Sequence, residues 1–225
     1  MKSAKFIEKE HLGSNIYSFR FTKPFEGLKF VAGEFIEMKI PHDNPDDRGE
    51  KRWFTVSNVY EDDFIQITTR YFEDKASSFK KALFKLKEGD QIKISDPMGD
   101  FVLPKNKNQK LLFVAGGIGI TPYMAMLKYM SLETDKRNAK LIWKLNSIKD
   151  RFTIPSKPDF IEEIVVVDKD KFNPKYLFEE FKKTESDRIY IAGPEPMVEA
   201  LNNGLIELGL DKRVINTDFF PGYTA

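Results

Sequence analysis

The sequence predicts a two-domain β plus α/β protein: an antiparallel β-barrel over residues 1–105, then a doubly wound parallel-sheet domain over residues 110–225. Three observations predict it. In the first hundred residues, apolar and polar side chains alternate at period two between Gly, Pro and Asp turns. After residue 110, short apolar runs alternate with amphipathic helical segments, the pattern of parallel βαβ units. The second domain opens on Leu111–Leu127 (LLFVAGGIGITPYMAML), which carries no charge and is bounded by Lys110 and Lys128.

Whole-chain properties exclude several function classes. A net charge of +1 over 225 residues leaves no footprint for nucleic acid or an anionic membrane. The chain has no cysteine, so disulfides, thiolate metal sites and a cysteine-ligated iron–sulfur cluster are excluded within it. His11 and His42 lack partners at ligand spacing and read as surface residues, so no metal site is expected. The opening MKSAKFIEKEH has no apolar h-region, so it does not read as a signal peptide, and a cytoplasmic location is expected.

In order along the chain, Asn15–Thr22 alternates through Tyr17, Phe19 and Phe21. Glu34–Ile40 places Ile36, Met38 and Ile40 on one face. Phe64–Tyr71 places Ile65, Ile67, Thr69 and Tyr71 together, and Ile92 and Ile94 repeat the pattern. One helix interrupts these strands, with Phe79, Ala82, Leu83 and Leu86 on its inner face and Ser77 or Ser78 as its cap. His42–Lys51 reads as a solvated charged loop. Pro104–Lys110 (PKNKNQK) is polar and basic, and the domain boundary is placed there.

In the second half, Leu111–Ala115, Leu141–Leu145, Ile164–Val167 and Arg188–Ala192 read as buried strands. Asn173-Pro174 opens a helix with Leu177 and Phe181 inside. Val198, Leu201, Leu205 and Leu208 form the inner stripe of another. Met124, Met126 and Met130 read as helix packing. The segment Gly116, Gly117, Ile118, Gly119 joins a strand to a helix that Thr121 would cap and Pro122 would start. Such a turn lets backbone approach an anion and points helix N–H groups at it. Three alternatives are a cluster of packing glycines, the ordinary dinucleotide fingerprint G-x-G-x-x-G, which is not met because Pro122 replaces its third glycine, and a membrane span, although a span needs about 20 apolar residues without such breaks.

Four motifs, in order, resemble those of the ferredoxin–NADP reductase superfamily. Arg52-Trp53-Phe54-Thr55 is similar to its flavin motif Arg-x-Tyr-Ser/Thr, with Phe54 in place of Tyr. Lys75-Ala76-Ser77-Ser78 resembles its second pyrophosphate contact, and Arg70 ends the strand that in the family runs beside the flavin. Gly116-Gly117-Ile118-Gly119-Ile120-Thr121-Pro122 resembles its nicotinamide-nucleotide motif. Ala192-Gly193-Pro194-Glu195-Pro196-Met197 is similar to Cys-Gly-Pro-x-x-Met, with Ala192 replacing the cysteine. The tail Asp218-Phe219-Phe220-Pro221-Gly222-Tyr223 looks like its closing acidic-x-aromatic segment, in a register that assigns the flavin-covering ring to Phe220.

The resemblance implies an FAD-dependent NAD(P)H oxidoreductase with Thr55, Asp218 and Phe220 at the reacting centre. It implies FAD contacts from Arg52, Trp53, Phe54, Thr55, Arg70, Ala76, Ser77, Ser78 and Phe220. It implies nucleotide contacts from Gly116, Gly117, Gly119, Thr121, Pro122, Gly193, Pro194 and Met197. The implied acceptor is a separate molecule, ferredoxin, flavodoxin or a redox subunit, and the chain is expected to be a monomer. The alternatives are the reductase component of an oxygenase or other multi-subunit complex, and a non-catalytic flavin or nucleotide sensor. NADPH is expected over NADH. The segment after the second strand offers Ser147, Lys149 and Arg151 to a 2′-phosphate, where an NAD site of the common type would place an acid.

Overall fold

The computed structural model describes residues 1–133 and 135–220. A six-stranded antiparallel sheet is built from β1 (Lys2–Gly13), β2 (Ile16–Thr22), β3 (Phe35–Lys39), β4 (Lys51–Thr55), β5 (Phe64–Arg70) and β6 (Gln91–Ile94). Its order is β4-β3-β6-β1-β2-β5. The sheet curls until its edges meet: Val56, just past β4, bridges Ile67 of β5, and the Ser57 N–H donates to the Gln66 carbonyl at 2.8 Å. Closure removes both free edges, and the interior fills with Phe19, Phe21, Ile36, Met38, Ile65 and Ile67 among others. Helix α1 (Ser78–Lys85) covers the barrel through buried Phe79 and Leu83, and Ser77 caps it by accepting the Lys80 N–H.

The second half is a five-stranded, all-parallel sheet of β7 (Leu111–Gly116), β8 (Ala139–Lys144), β9 (Glu162–Val166), β10 (Arg188–Pro194) and β11 (Ile215–Phe220). Its order, β11-β10-β7-β8-β9, reverses between β7 and β10. Ligands of open α/β sheets bind at that reversal, off the carboxyl ends of the strands. Helix α2 (Thr121–Leu132) packs one face, with Met124, Met126 and Met130 buried as expected. Helices α3 (Pro174–Lys183) and α4 (Glu195–Glu207) cover the other through Leu177, Val198, Leu201 and Leu205. Among the described residues, no helix is long and apolar enough to cross a membrane.

Several local expectations are corrected. Strand β1 is an addition to the expected strands: its outer face is Lys, Glu and Ser, and the inner Ala4 and Phe6 are too sparse to mark a period. Strand β11 is a second addition, recognisable only with β10 beside it. Leu208 caps α4 and is 41% exposed rather than buried. Thr121 is not an N-cap: residues Gly117–Ile120 form a 3₁₀ turn that runs into α2, so Thr121 is already helical and its hydroxyl donates back to the Ile118 carbonyl. His42 is half-buried, not superficial, with its ring edge-on to Phe79 and Nδ1 2.8 Å from the Ile40 carbonyl.

The halves share one core. Ile16, Ala32 and Phe101 from the N-terminal half lie in the same apolar cluster as Tyr123, Met126 and Tyr190. Polar ties flank it: Tyr190 donates to the Val102 carbonyl, Arg137 to the Pro104 carbonyl, and Lys128 pairs with Asp62 at 2.6 Å. This seam explains why β5 is buried on both faces although its sequence alternates. Gln66 and Thr68 face outward from the barrel, yet they are buried and bonded to Ser57 and Asn58.

Candidate cofactor and nucleotide site

A cavity of about 460 Å³ opens where the barrel, the glycine turn and β11 meet. Arg48, Lys51, Arg52, Lys75 and Lys80 give it a cationic lining beside Ser77. Phe35, Trp53 and Phe54 give it aromatic walls, and Thr55 and Thr68 add hydroxyls. Ile118 and Thr121 reach it from the second half, as do Asp218, Phe219 and Phe220.

The cationic part is built on Arg52. Its side chain is only 9% exposed. One terminal nitrogen donates to Asp46 Oδ1 at 2.8 Å, and the other to the carbonyls of Arg48, Gly49 and Lys51 at 2.7–2.9 Å. Asp46 in turn accepts the Ser78 N–H at 3.0 Å, and its own N–H donates to Ser78 Oγ at 2.8 Å. Burial alone would raise the Asp46 carboxyl, but the Arg52 guanidinium and the N–H groups of Ser78 and Arg48 hold it below the ordinary carboxylate value. The His42–Lys51 loop, expected to be merely solvated, is therefore the brace that fixes Arg52 against the first turn of α1.

At the β11 end of the cavity, Thr55 is 5% exposed and lies beside the Asp218 carboxyl. Burial pushes Asp218 up to about 6, against the Thr55 hydroxyl and the Phe219 N–H, which favour its charged form, while nearby Asp100 raises it further. Asp218 and Phe220 share one face of β11, and Phe220 also packs on the seam core. Phe219 points the other way and is 47% exposed, though it lines the cavity as well. Pro221, Gly222 and Tyr223, which set the expected register, lie outside the described residues.

The third and fourth motifs come together at the sheet reversal. A Cβ on Gly119 would sit 2.1 Å from the Ala192 carbonyl oxygen, and one on Gly116 would sit 2.4 Å from the Met197 sulfur. Both glycines therefore serve strand-to-turn packing. Gly117 is the residue of the turn in the left-handed region, with φ +53°, and Gly193 lies against Gly116 and Met197. Arg70 does not line the cavity. It lies against the glycine turn, its guanidinium 3.2 Å from the position of a Cβ on Gly117.

Ala76, Ser78, Pro122, Pro194, Ser147, Lys149 and Arg151 also lie off the cavity lining. Ser147 caps a short 3₁₀ turn after β8 by accepting the Lys149 N–H. Lys149 is exposed, and Arg151 is paired with Glu163 at 3.1 Å. Sequence reasoning missed Phe35, Glu37, Arg48, Lys51, Thr68, Lys80 and Ile118. The signal for two of them was available: Phe35 and Glu37 are the cross-strand partners of Thr55 and Trp53.

The lining suits FAD. Fixed cations and the capped start of α1 match a pyrophosphate, and flat aromatic walls with hydroxyls match an isoalloxazine.

The comparisons agree with this geometry. Residues 3–103 match the oxidoreductase FAD-binding domain family. A probable dihydroorotate dehydrogenase B (NAD(+)) electron transfer subunit from Pyrococcus abyssi is 31% identical over 192 residues, covering 83% of this chain and 67% of that protein. Flavohemoprotein A from Dictyostelium discoideum is 25% identical over 234 residues, covering 94% of this chain. The chain spans only 58% of that relative's length. In structure, a ferredoxin-NADP+ reductase from Plasmodium falciparum superposes with a TM-score of 0.75 at 17% identity, over 97% of this chain and 95% of that one. A cytochrome P450 reductase from Amycolatopsis gives 0.78 at 19% identity, over 97% and 69%.

Proposed function

The chain belongs to the ferredoxin–NADP reductase superfamily of FAD- and NAD(P)-using oxidoreductases, and on that premise we propose that it passes reducing equivalents from NAD(P)H through FAD to a separate acceptor. One observation carries the proposal. A single cavity is lined both by Arg52–Thr55 of the flavin motif and by Ile118 and Thr121 of the nucleotide motif. Two cofactors held by those motifs would meet in one space, and such positioning is the protein's main contribution to hydride transfer.

The division of labour follows from the residues. Arg52 and the start of α1 take the flavin pyrophosphate, with the barrel ending near residue 105 and the nucleotide half starting near 110. Trp53 and Phe54 wall the ring. The Thr55 hydroxyl and the Asp218 carboxyl hold a proton beside it. Phe220 would cover one face of a bound flavin and yield to the nicotinamide. The glycine turn and the Gly193-Pro194-Met197 segment take the nicotinamide nucleotide. FAD, when bound, would supply the redox chemistry, hydride uptake and one-electron release. For the adenosine end we keep NADPH, with exposed Lys149 and Ser147 nearest a 2′-phosphate and Arg151 already engaged by Glu163.

A second reading is a reductase subunit of a multi-component complex in the cytoplasm. The Pyrococcus abyssi relative, an electron transfer subunit by name, favours it.

The test is direct. The purified protein should be yellow, release FAD and not FMN on heating, and oxidise NAD(P)H with ferricyanide as acceptor. Protein that stays colourless after incubation with FAD would overturn the proposal. Stable co-purification with a second redox protein would select the subunit reading.

A further inference from the structure

Resting on that reading, in which the glycine turn takes the pyrophosphate of the nicotinamide nucleotide, we propose that Trp143 is the positioning residue that sets the turn's anion-facing N–H. The side chain is wholly buried on β8, edge-on to Phe152 at 5.2 Å, inside the seam core. Its indole Nε1–H donates to the Gly117 carbonyl at 2.9 Å, from 26 residues away in sequence.

That carbonyl controls a donor. The peptide unit is planar and trans, so the Gly117 C=O and the Ile118 N–H point in opposite directions. Fixing the carbonyl on the core side fixes the Ile118 N–H on the other, and Ile118 is one of the residues that line the cavity. N–H groups at the start of a helical segment lack intrahelical partners and serve anions. Gly117 is also the residue whose φ of +53° gives the turn its direction. Glycine has the most backbone freedom to lose, so an external anchor matters most there.

The anchor is well chosen physically. An indole fills a large apolar volume yet carries one directional donor, so core packing and turn geometry are set by the same ring. Arg70 also lies against the turn, 3.2 Å from a Cβ position on Gly117. The turn is thus held by a buried indole of its own half and a guanidinium of the barrel.

Trp143→Phe keeps the ring and removes the donor. The expected result is about fivefold weaker binding of NADP+ and NAD+ by calorimetry, the size of one lost hydrogen bond. KM for NAD(P)H should rise to match, with FAD content and kcat at saturating nucleotide retained. Unchanged nucleotide affinity would overturn the proposal. So would a joint loss of FAD content and kcat, which general core damage predicts. The wild-type chain gives a second test that does not depend on the variant folding. It has two tryptophans, hence two indole N–H resonances, assigned with Trp53→Phe. NADP+ or NAD+ should shift the Trp143 resonance, and a signal unmoved at saturation would overturn the proposal. Wild-type protein that binds neither nucleotide would instead refute the functional reading on which it rests.

Discussion

On the proposed function, the barrel and the parallel sheet each offer an anion a place to bind, and they build it from different materials. At the start of α1 the material is side-chain charge: Arg52, braced by Asp46 and three carbonyls, with Lys75 and Lys80 on the same cavity. At the start of α2 it is backbone. No residue between Lys110 and Lys128 is charged, and the turn takes its shape from Gly116, Gly117 and Gly119, from the Trp143 indole and from Arg70 at its flank. On the proposed reading the difference has a purpose. A resident cofactor gains from several braced charges, whereas a substrate that must leave each cycle is better held by oriented N–H groups of modest strength.

Four perturbations would sharpen or break the contrast. The largest effect belongs to Gly119→Ala. Its Cβ would fall 2.1 Å from the Ala192 carbonyl oxygen, so the turn must move off β10. A loss of about 3 kcal/mol in stability is expected, with nucleotide binding abolished. A variant with the wild-type melting temperature would show that the turn is not packed as described.

Arg52→Ala should come next. Removing a charge-assisted contact should weaken FAD binding about a hundredfold by flavin fluorescence titration, equivalent to roughly 2–3 kcal/mol. Affinity for NADP+ should hardly change. In the wild type, raising salt should weaken FAD more than NADP+, because side-chain charge is screened over about 8–10 Å. Equal salt slopes for the two ligands would erase the distinction drawn above.

Asp218→Asn tests the shared edge of the two sites. The Asp218 carboxyl is raised from 3.8 to about 6 in the fold, so the folded chain binds its proton more tightly than the unfolded chain does. Its stability contribution is therefore complete below pH 4 and is lost as pH rises through 6, a swing on the order of 2–3 kcal/mol. The variant should flatten that part of the stability–pH curve and be the more stable protein at pH 7. An unchanged curve would mean that the carboxyl is not buried against Thr55.

The smallest effect separates two neighbours. Phe220→Ala should tighten NADP+ binding severalfold and slow turnover by about as much, since no ring has to be displaced and product leaves more slowly. Phe219→Ala should leave nucleotide affinity unchanged. If Phe219→Ala alone shifts the flavin spectrum and affinity, the covering ring is Phe219.

The sequence by itself determined the architecture. Period-two strands, then buried apolar runs alternating with capped helices, require a barrel and a parallel sheet, because those periods follow from local backbone geometry. It also displayed the motif residues, because Arg52, Thr55, Gly117 and Asp218 are recognisable by type and spacing. Tertiary structure alone decided the rest. Strand β11 is defined by pairing with β10, and the brace of Arg52 comes from a loop that has no pattern of its own. Thr68 and Gln66 look solvent-facing along their strand, yet they are buried and bonded to Ser18, Ser57 and Asn58. Trp143 reads as an ordinary core residue until the fold brings its indole to Gly117. The physical reason is common to all of these. Periodicity reports which face of an element is apolar, whereas a brace or a seam depends on which two faces meet, and that is fixed by contacts between residues far apart in the chain.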